Sequence, residues 1–304
     1  MKIILLQGGS SLEREISLRS SAFIGKAIEN LGHELSLIDP ADYENIEDFI
    51  VALRKERADL VFIGLHGGAG EDGRMQAILK TAGIPFTGSN HKSSAIAMDK
   101  YVSSYIAKNH GIPVPRQEVL TFIPFDIDRR IESVGFPMVV KPNGAGSSVG
   151  VFIVNDKDEM LNAFGDAFSY DESILMQQFI SGRELTVSIL CNDALPVIEI
   201  IVLEGFYDYT NKYTKGKTEY ICPAELTDEE TKKIQEYAKR IFHAIGCTSY
   251  GRVDFMYDGN EFYFLELNTL PGMTELSLVP MAAKEVGIEF EKLIELIMDN
   301  VELV

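Results

Sequence analysis

The sequence predicts an α/β region on a parallel sheet, followed by two α+β units. Three observations carry that reading. Apolar strands alternate with amphipathic helices at the start of the chain. The segment "GIPVP" (111–115) holds two prolines, which exclude a helix and mark a junction. Beyond it, strands come in neighbouring pairs, "ELTVSILC" with "LPVIEIIVL" and "YGRVDFMYD" with "EFYFLELN".

The elements follow in order. Residues 2–7 read as a buried first strand. Ile24, Ala27, Ile28 and Leu31 fall on one helical face, with Gly32 as the stop. A second strand spans 34–39, and Ile46, Phe49, Ile50 and Leu53 mark a second helix. "DLVFIGLHGG" is a third strand with a glycine-rich end. Sheets of this kind place ligands at the carboxyl ends of their strands. Those ends carry "GGSSLEREIS" and "HGGAGEDG". From 117 to about 182 the order is strand, helix, strand, loop, strand, helix, strand. Two long strands, a polar loop "YDYTNKYTKGKTEY", a helix over 228–245, two further strands, a proline-glycine loop and a C-terminal helix complete the chain.

Composition narrows the partners. The chain has 304 residues, 28 basic and 46 acidic, for a formal charge of -18. That balance argues against nucleic acid or an anionic membrane as partner, since both need a positive footprint. No run approaches the roughly 18 apolar residues that span a bilayer. The opening "MKIILLQGG" is too short in its apolar run for a signal peptide. Cys191, Cys222 and Cys247 are odd in number and far apart, which fits thiols in a reducing cytoplasm better than disulfides or zinc. A cytoplasmic protein is expected.

The loop in "VVKPNGAGSSVGVFIV" (139–154) lies between two strands with Lys141 at its mouth. In a P-loop the lysine follows the loop and a helix opens after it; neither holds here. A hairpin can still cradle an anion. Gly144, Gly146 and Gly150 let backbone N–H groups converge, Ser147 and Ser148 add hydroxyls, and Lys141 supplies countercharge. The plain alternative is a hairpin with a mobile tip.

In "GRVDFMYDGNEFYFLELN" residues two apart share a face, so Arg252 goes with Asp254 and Glu266 with Asn268. Three oxygen donors, Asp254, Glu266 and Asn268, suit Mg²⁺ beside substrate phosphates. The apolar neighbours would leave Glu266 a buried charge without a partner, a cost that a metal relieves. Lys212 and Tyr213 lie in the long polar loop, which reads as an ordinary exposed loop unless it is a lid. Ser10 to Glu13 has the spacing of a capping box. The alternative for Glu13, at a strand's carboxyl end, is to hold a ligand ammonium. His66 is similarly placed, though an isolated histidine is more often structural.

Taken in order, "GGSSLEREISL", "LHGGAGEDG", "GIPFTGS", "AMDK", "VVKPNGAGSSVGV", "FISGRELTV", "NKYT", "YICPA", "GRVDF" and "LELNTLPGMTELSLVPMA" resemble the D-alanine–D-alanine ligases of the ATP-grasp superfamily. Each piece alone is weak; the ordered set covers nearly the whole chain. The resemblance implies a three-domain fold, divided as 1–96, 97–182 and 183–304, with ATP between two α+β domains. It implies ligation of two D-alanines through an acyl phosphate, for peptidoglycan precursors, with a D-serine-using relative as the alternative. By similarity, Lys100 and Lys141 contact the α/β-phosphates, and Lys212 the γ-phosphate. Ser147 and Ser148 belong to the loop over the nucleotide. Glu184 takes the ribose, and the backbone of Gln178 and Ile180 faces adenine. Asp254, Glu266 and Asn268 hold two Mg²⁺ ions, with Mn²⁺ an acceptable substitute. Glu13 pairs with the first ammonium, with His66 near that subsite. Glu13, Ser147 and Tyr213 form a hydrogen-bonded chain. Arg252 and the Gly272 N–H stabilise the oxyanion, and Ser277 with the Leu278 N–H binds the second carboxylate. One departure is Gln177, where relatives often carry glutamate; an amide still accepts a bond from the adenine amino group. Relatives that make D-alanyl-D-lactate differ at the loop of Tyr213, so that tyrosine favours an amine as second substrate. A homodimer is implied by likeness alone.

Overall fold

The computed structural model describes residues 1–146, 149–203 and 217–301. Strand β1 (Lys2–Leu6) pairs in parallel with β2 (Glu34–Ile38) on one side and β3 (Leu60–Ile63) on the other. Leu6 stands level with both Ile38 and Ile63, so the three strands end at one edge. That edge carries Gly8, Asp39 and His66. Gly8 is there because its φ is +71° and a Cβ would strike the Asp39 carboxylate. Asp39 in turn accepts from the Gly9 N–H at 2.9 Å and pairs with Arg14 at 2.7 Å, which fixes the turn into the first helix.

Helix α1 (Arg14–Asn30) buries Ile24, Ala27 and Ile28 in the core of this sheet, and Gly32 in a left-handed conformation ends it, as the spacing predicts. The capping box does not form. Glu13 is itself the N-cap residue and makes no side-chain capping bond. Its N–H donates to Ser11 Oγ, and Ser11 donates to the His66 carbonyl at 2.5 Å. The Glu13 carboxylate is thereby left to face another element. Helix α2 (Ile46–Glu56) buries Phe49 and Leu53.

Three helices that the periodicity does not reveal follow: α3 (Arg74–Ala82), α4 (His91–Met98) and α5 (Lys100–Asn109). The central lobe matches expectation. Strands β4 (Gln117–Leu120), β5 (Met138–Pro142), β6 (Phe152–Val154) and β7 (Ile174–Gln178) form an antiparallel sheet in the order β4-β7-β5-β6. Helices α6 (Ile127–Val134) and α7 (Lys157–Ala167) bury its core.

The C-terminal lobe is a second antiparallel sheet, in the order β11-β10-β8-β12-β13 with a short β9 beside β8. Its strands are β8 (Arg183–Leu190), β9 (Asp193–Ala194), β10 (Ile198–Val202), β11 (Thr218–Ile221), β12 (Tyr250–Tyr257) and β13 (Phe262–Asn268). The end of the expected polar loop is thus an edge strand, β11. Helix α8 (Asp228–Ile245) packs on this sheet together with α5, since Ala107 and Ile112 share a core with Ile241, Phe242 and Phe264. The expected single C-terminal helix is two, α9 (Leu278–Glu285) and α10 (Phe290–Asp299). Both join the core of the N-terminal sheet, where Val279, Ala282 and Ile294 meet Ile4 and Leu6.

Helix α8 carries the capping box that α1 lacks: the Thr227 hydroxyl accepts from Glu230 N–H, and the Glu230 carboxylate accepts from Thr227 N–H at 2.8 Å. Thr227→Ala should lower the unfolding free energy by about 1 kcal/mol, read from the urea midpoint, and leave every Michaelis constant unchanged.

Candidate active site

The site begins with strand alternation. Glu184, Thr186 and Ser188 lie on one face of β8. The register sets Thr186 beside Asp254 and Ser188 beside Arg252 on β12. On the other side of β12, Asp254 faces Glu266 and Arg252 faces Asn268. One polar patch therefore spans three strands of an otherwise apolar sheet. Arg252 grips Asp254 with two bonds, Nε to Oδ1 at 2.9 Å and Nη2 to Oδ2 at 2.7 Å. Thr186 Oγ1 donates to the same Oδ1 at 2.6 Å. The two-apart pairing expected of Arg252 and Asp254 is thus observed directly.

Glu266 differs from expectation. It is not an unpaired buried charge: its side chain is 29% exposed and lies 3.3 Å from the Lys100 ammonium. Sequence patterning could not foresee this, because Lys100 arrives from a helix far away in the chain. Asn268 Oδ1 accepts the Leu270 N–H at 2.9 Å and so pins the turn after β13.

Facing this patch across a cleft is the central sheet. A cavity of about 450 Å³ lies between Val139, Lys141 and Ile153 on one side and Glu184, Ile200, Asp254 and Glu266 on the other. Gln177, Gln178 and Ile180 line it at the crossing between the lobes. Gln177 is buried and donates Nε2 to Gln117 Oε1 at 2.9 Å. Gln178 Oε1 accepts from Arg116 Nε at 3.1 Å. Lys141 is buried in the cleft. Burial lowers the pKa of its ammonium, attraction to Glu266 opposes this, the neighbouring Lys100 lowers it further and Glu184 again opposes, leaving it at about 8. Lys100 Nζ also donates to the Ala145 carbonyl at 2.7 Å, at the root of the glycine-rich loop.

A second, smaller cavity of about 50 Å³ adjoins the first through Lys100 and Glu266. Glu13, His66, Gly146, Arg252, Asn268 and Gly272 line it. A Cβ on Gly146 would stand 3.0 Å from the Glu13 carboxylate, and one on Gly67 only 2.3 Å. Glu13 therefore sits between two glycines, one from each of two lobes. His66 is fully engaged. Nδ1 donates to the Leu270 carbonyl at 2.9 Å, so Nε2 is the acceptor, and the Ser20 hydroxyl meets it at 3.0 Å. Ser20 Oγ also accepts the Met273 N–H at 3.1 Å. The histidine thus ties the turn bearing Gly272 to α1. Ser277 occupies the N-cap position of α9, and Leu278 is its first residue. The Leu278 N–H is one of the helix's unmatched donors. Ser277 Oγ accepts the Thr274 N–H at 2.9 Å. These two lie behind Gly272, outside the lining of the small cavity.

The structure brings Glu13, His66, Lys100, Lys141, Arg252, Asp254, Glu266, Asn268 and Gly272 to the two adjoining cavities. Ser147, Ser148, Lys212 and Tyr213 fall outside the described residues. Sequence reasoning overlooks Thr186, although its place two residues after Glu184 puts it on the same face. The donor set fits a hard divalent cation. Asp254 and Glu266 are direct cross-strand partners that both line the larger cavity, with Arg252 and Lys100 beside them. Among the described residues no three His, Cys, Asp or Glu side chains are placed to hold a metal ion together, so a closed protein cage is not built. Two carboxylates and an amide match Mg²⁺, which takes its remaining ligands from phosphate and water.

Comparison with known proteins agrees with this geometry. Residues 39–89 match the family described as D-ala D-ala ligase N-terminus, and residues 106–299 match D-ala D-ala ligase C-terminus. The chain is 42% identical to a D-alanine–D-alanine ligase of Syntrophotalea carbinolica, over 99% of this chain and 96% of that one. It is 43% identical to one from Geobacter sulfurreducens, over 99% and 94%. The D-alanine–D-alanine ligase of Bacillus anthracis, solved in complex with ATP, superposes with a TM-score of 0.86 at 35% identity, covering 98% of this chain and 96% of that one. The VanG D-Ala:D-Ser ligase of Enterococcus faecalis superposes at 0.83 with 31% identity, over 98% of each chain. The fold is thus the ATP-grasp fold, and the chain belongs to the D-alanine–D-alanine ligase family.

Proposed function

We propose that this chain joins two D-alanine molecules into D-alanyl-D-alanine at the expense of ATP, for peptidoglycan precursor synthesis. The observation that carries the reading is the pair of adjoining cavities. The larger has the size and mixed lining of a nucleotide cleft, and the smaller collects Glu13, Arg252 and Gly272 around room for a small amino acid.

The chemistry divides among the residues as follows. A carboxylate is a poor electrophile, so the first D-alanine carboxylate must accept the γ-phosphoryl group and become an acyl phosphate. Glu13, held between Gly67 and Gly146, takes the ammonium of that first substrate. His66 stands beside this subsite and holds the turn of Gly272 in place. Lys100 and Lys141 offset charge on the nucleotide phosphates. Glu184 takes the ribose, while Gln178 and Ile180 meet the adenine through their backbone. Asp254, Glu266 and Asn268 would hold two Mg²⁺ ions, which when bound neutralise charge on the phosphoryl oxygens. Arg252 and the Gly272 N–H face the oxyanion that forms when the second amine attacks. The Ser277 hydroxyl and the Leu278 N–H take the second carboxylate. Lys212, Tyr213, Ser147 and Ser148 keep the parts that family likeness gives them. The same likeness supplies the three-lobe division near residues 96 and 182, the homodimer and the cytoplasm. No helix among the described residues is long and apolar enough to cross a membrane.

Phosphate release measured with single D-amino acids and pairs tests the substrate. D-alanine alone should sustain turnover. Release with D-alanine plus D-serine far above that with D-alanine would give the reaction to the D-serine-using class instead.

Two further outcomes follow from the geometry. Arg252→Met at saturating Mg²⁺ should lower kcat by about 10²–10³, the usual cost of one oxyanion donor; an unchanged kcat would remove Arg252 from that role. Lys141 has a lowered affinity for its proton in the fold, so the unfolded chain binds more protons between about pH 8 and the ordinary lysine value of 10.5. Stability from this group therefore increases as pH rises through that window, while countercharge for phosphate is lost. kcat/KM for ATP should fall above about pH 8, and Lys141→Met should raise the melting temperature at neutral pH while weakening ATP use. A melting temperature lowered by that substitution would contradict the burial cost.

A further inference from the structure

The central sheet and a helix packed on the C-terminal sheet meet at one asparagine. Asn143 follows β5 directly, is 5% exposed, and uses every hydrogen-bonding group it has. Its N–H donates to the Ser173 carbonyl at 2.9 Å, and its carbonyl accepts the Lys100 N–H at 3.2 Å. Its side-chain Oδ1 accepts the Tyr101 N–H at 2.9 Å, and Nδ2 donates to Asp99 Oδ1, also at 2.9 Å. Asp99 is the N-cap of α5 and accepts from the Val102 N–H at 2.9 Å. The first N–H groups of a helix have no partner within it. Here a residue of the central lobe and the helix's own cap divide them.

The consequence is positional. Helix α5 packs into the C-terminal core through Ala107, whereas β5 belongs to the central sheet. Asn143 therefore joins the strand that carries Lys141 to the helix that begins with Lys100. The bonds beyond it complete a frame. Gly144 N–H donates to Asp171 Oδ2 at 2.5 Å, and Lys100 Nζ reaches both the Ala145 carbonyl at 2.7 Å and Glu266 at 3.3 Å. Asn143 itself does not line the cleft.

We propose that Asn143, clasped by Asp99, is a positioning residue for the nucleotide: it sets the root of the glycine-rich loop and the Lys100 ammonium at a fixed spacing across the cleft. The inference rests on the assignment of that cleft to ATP. Asn143→Ala removes both side-chain bonds. Asn143→Asp keeps the acceptor for Tyr101 but sets a carboxylate against that of Asp99. Asp99→Asn in that background restores a donor.

Calorimetry with Mg·ADP, paired with the steady-state KM for D-alanine and a thermal melt, reads the effect. Asn143→Ala should weaken Mg·ADP binding by about tenfold, because the Lys100 ammonium and the loop root are no longer held at one spacing. Asn143→Asp should weaken it more. Asn143→Asp with Asp99→Asn should return to within about threefold of the parent, and the KM for D-alanine should hold throughout. Equal Mg·ADP affinity in parent and Asn143→Ala would overturn the proposal. So would a parallel loss of Mg·ADP affinity, D-alanine KM and melting temperature, since that is the mark of a merely structural residue. If Asn143→Ala does not fold, the single and double aspartate variants decide on the same readout. Failure of the parent to bind Mg·ADP would instead sink the assignment of the cleft, and this inference with it.

Discussion

Two carboxylates, Asp254 and Glu266, stand opposite each other on neighbouring antiparallel strands, and the layout of the cleft follows from how their charge is met. Like charges directly across a strand pair destabilise a sheet. Burial raises the cost, because Asp254 has little water to screen it. The fold answers with two cations from different directions. Arg252, two residues before Asp254, closes a bidentate fork on it within one strand. Lys100 comes from the start of α5 to Glu266. Removing one partner of so buried a pair costs about 3–5 kcal/mol, whereas exposed pairs contribute far less. The arrangement therefore says little about net stability and much about placement. It holds carboxylate oxygens, a guanidinium and an ammonium within one cleft, which is what a reaction that gathers phosphate charge requires.

The lysines show the same economy of charge. Lys141 is buried where its ammonium is disfavoured, and the nearby Lys100 disfavours it further. In the proposed role, an incoming polyphosphate would reverse both effects, because it brings the countercharge that burial denies. The neighbouring glutamates offset the burial cost by attracting the same ammonium.

Much of this was legible in the sequence, and particular residues show where legibility ends. Period-two spacing puts Arg252 with Asp254 and Glu266 with Asn268, because pleating is a local property of a strand. The N-terminal β-α-β-α-β order is equally plain, since β3 and all of β1 after Lys2 are apolar and α1 and α2 carry buried apolar residues at helical spacing. Helices α4 and α5 leave no such trace. Their buried faces carry Ser93, Ser94, Ser103 and Ser104, and the Ser93 hydroxyl is satisfied by the Gly246 carbonyl at 2.7 Å. A polar stripe that packs against backbone gives no hydrophobic period to read. The capping box at Ser10 fails although its spacing is right, because the helix begins three residues later, at Arg14, with Glu13 itself as the N-cap. The salt bridge of Glu266 and the clasp of Asn143 join residues far apart in sequence, and no local pattern encodes such meetings.

That same non-locality explains why the site sits where three lobes touch. Glu13 comes from the N-terminal lobe, Gly146 from the central hairpin, and Arg252 and Gly272 from the C-terminal lobe, yet all line one small cavity. Such a site is only as well defined as the packing between its lobes. The C-terminal helices supply that packing by entering the core of the N-terminal sheet, with Val279 and Ile294 wholly buried against it. His66 adds a polar tie from the same lobe to Leu270, and Ser20 adds one to Met273, on either side of Gly272. An acyl phosphate exposed to water would hydrolyse, so for the proposed reaction a site assembled from three directions has a chemical purpose: each lobe contributes one wall that keeps water out.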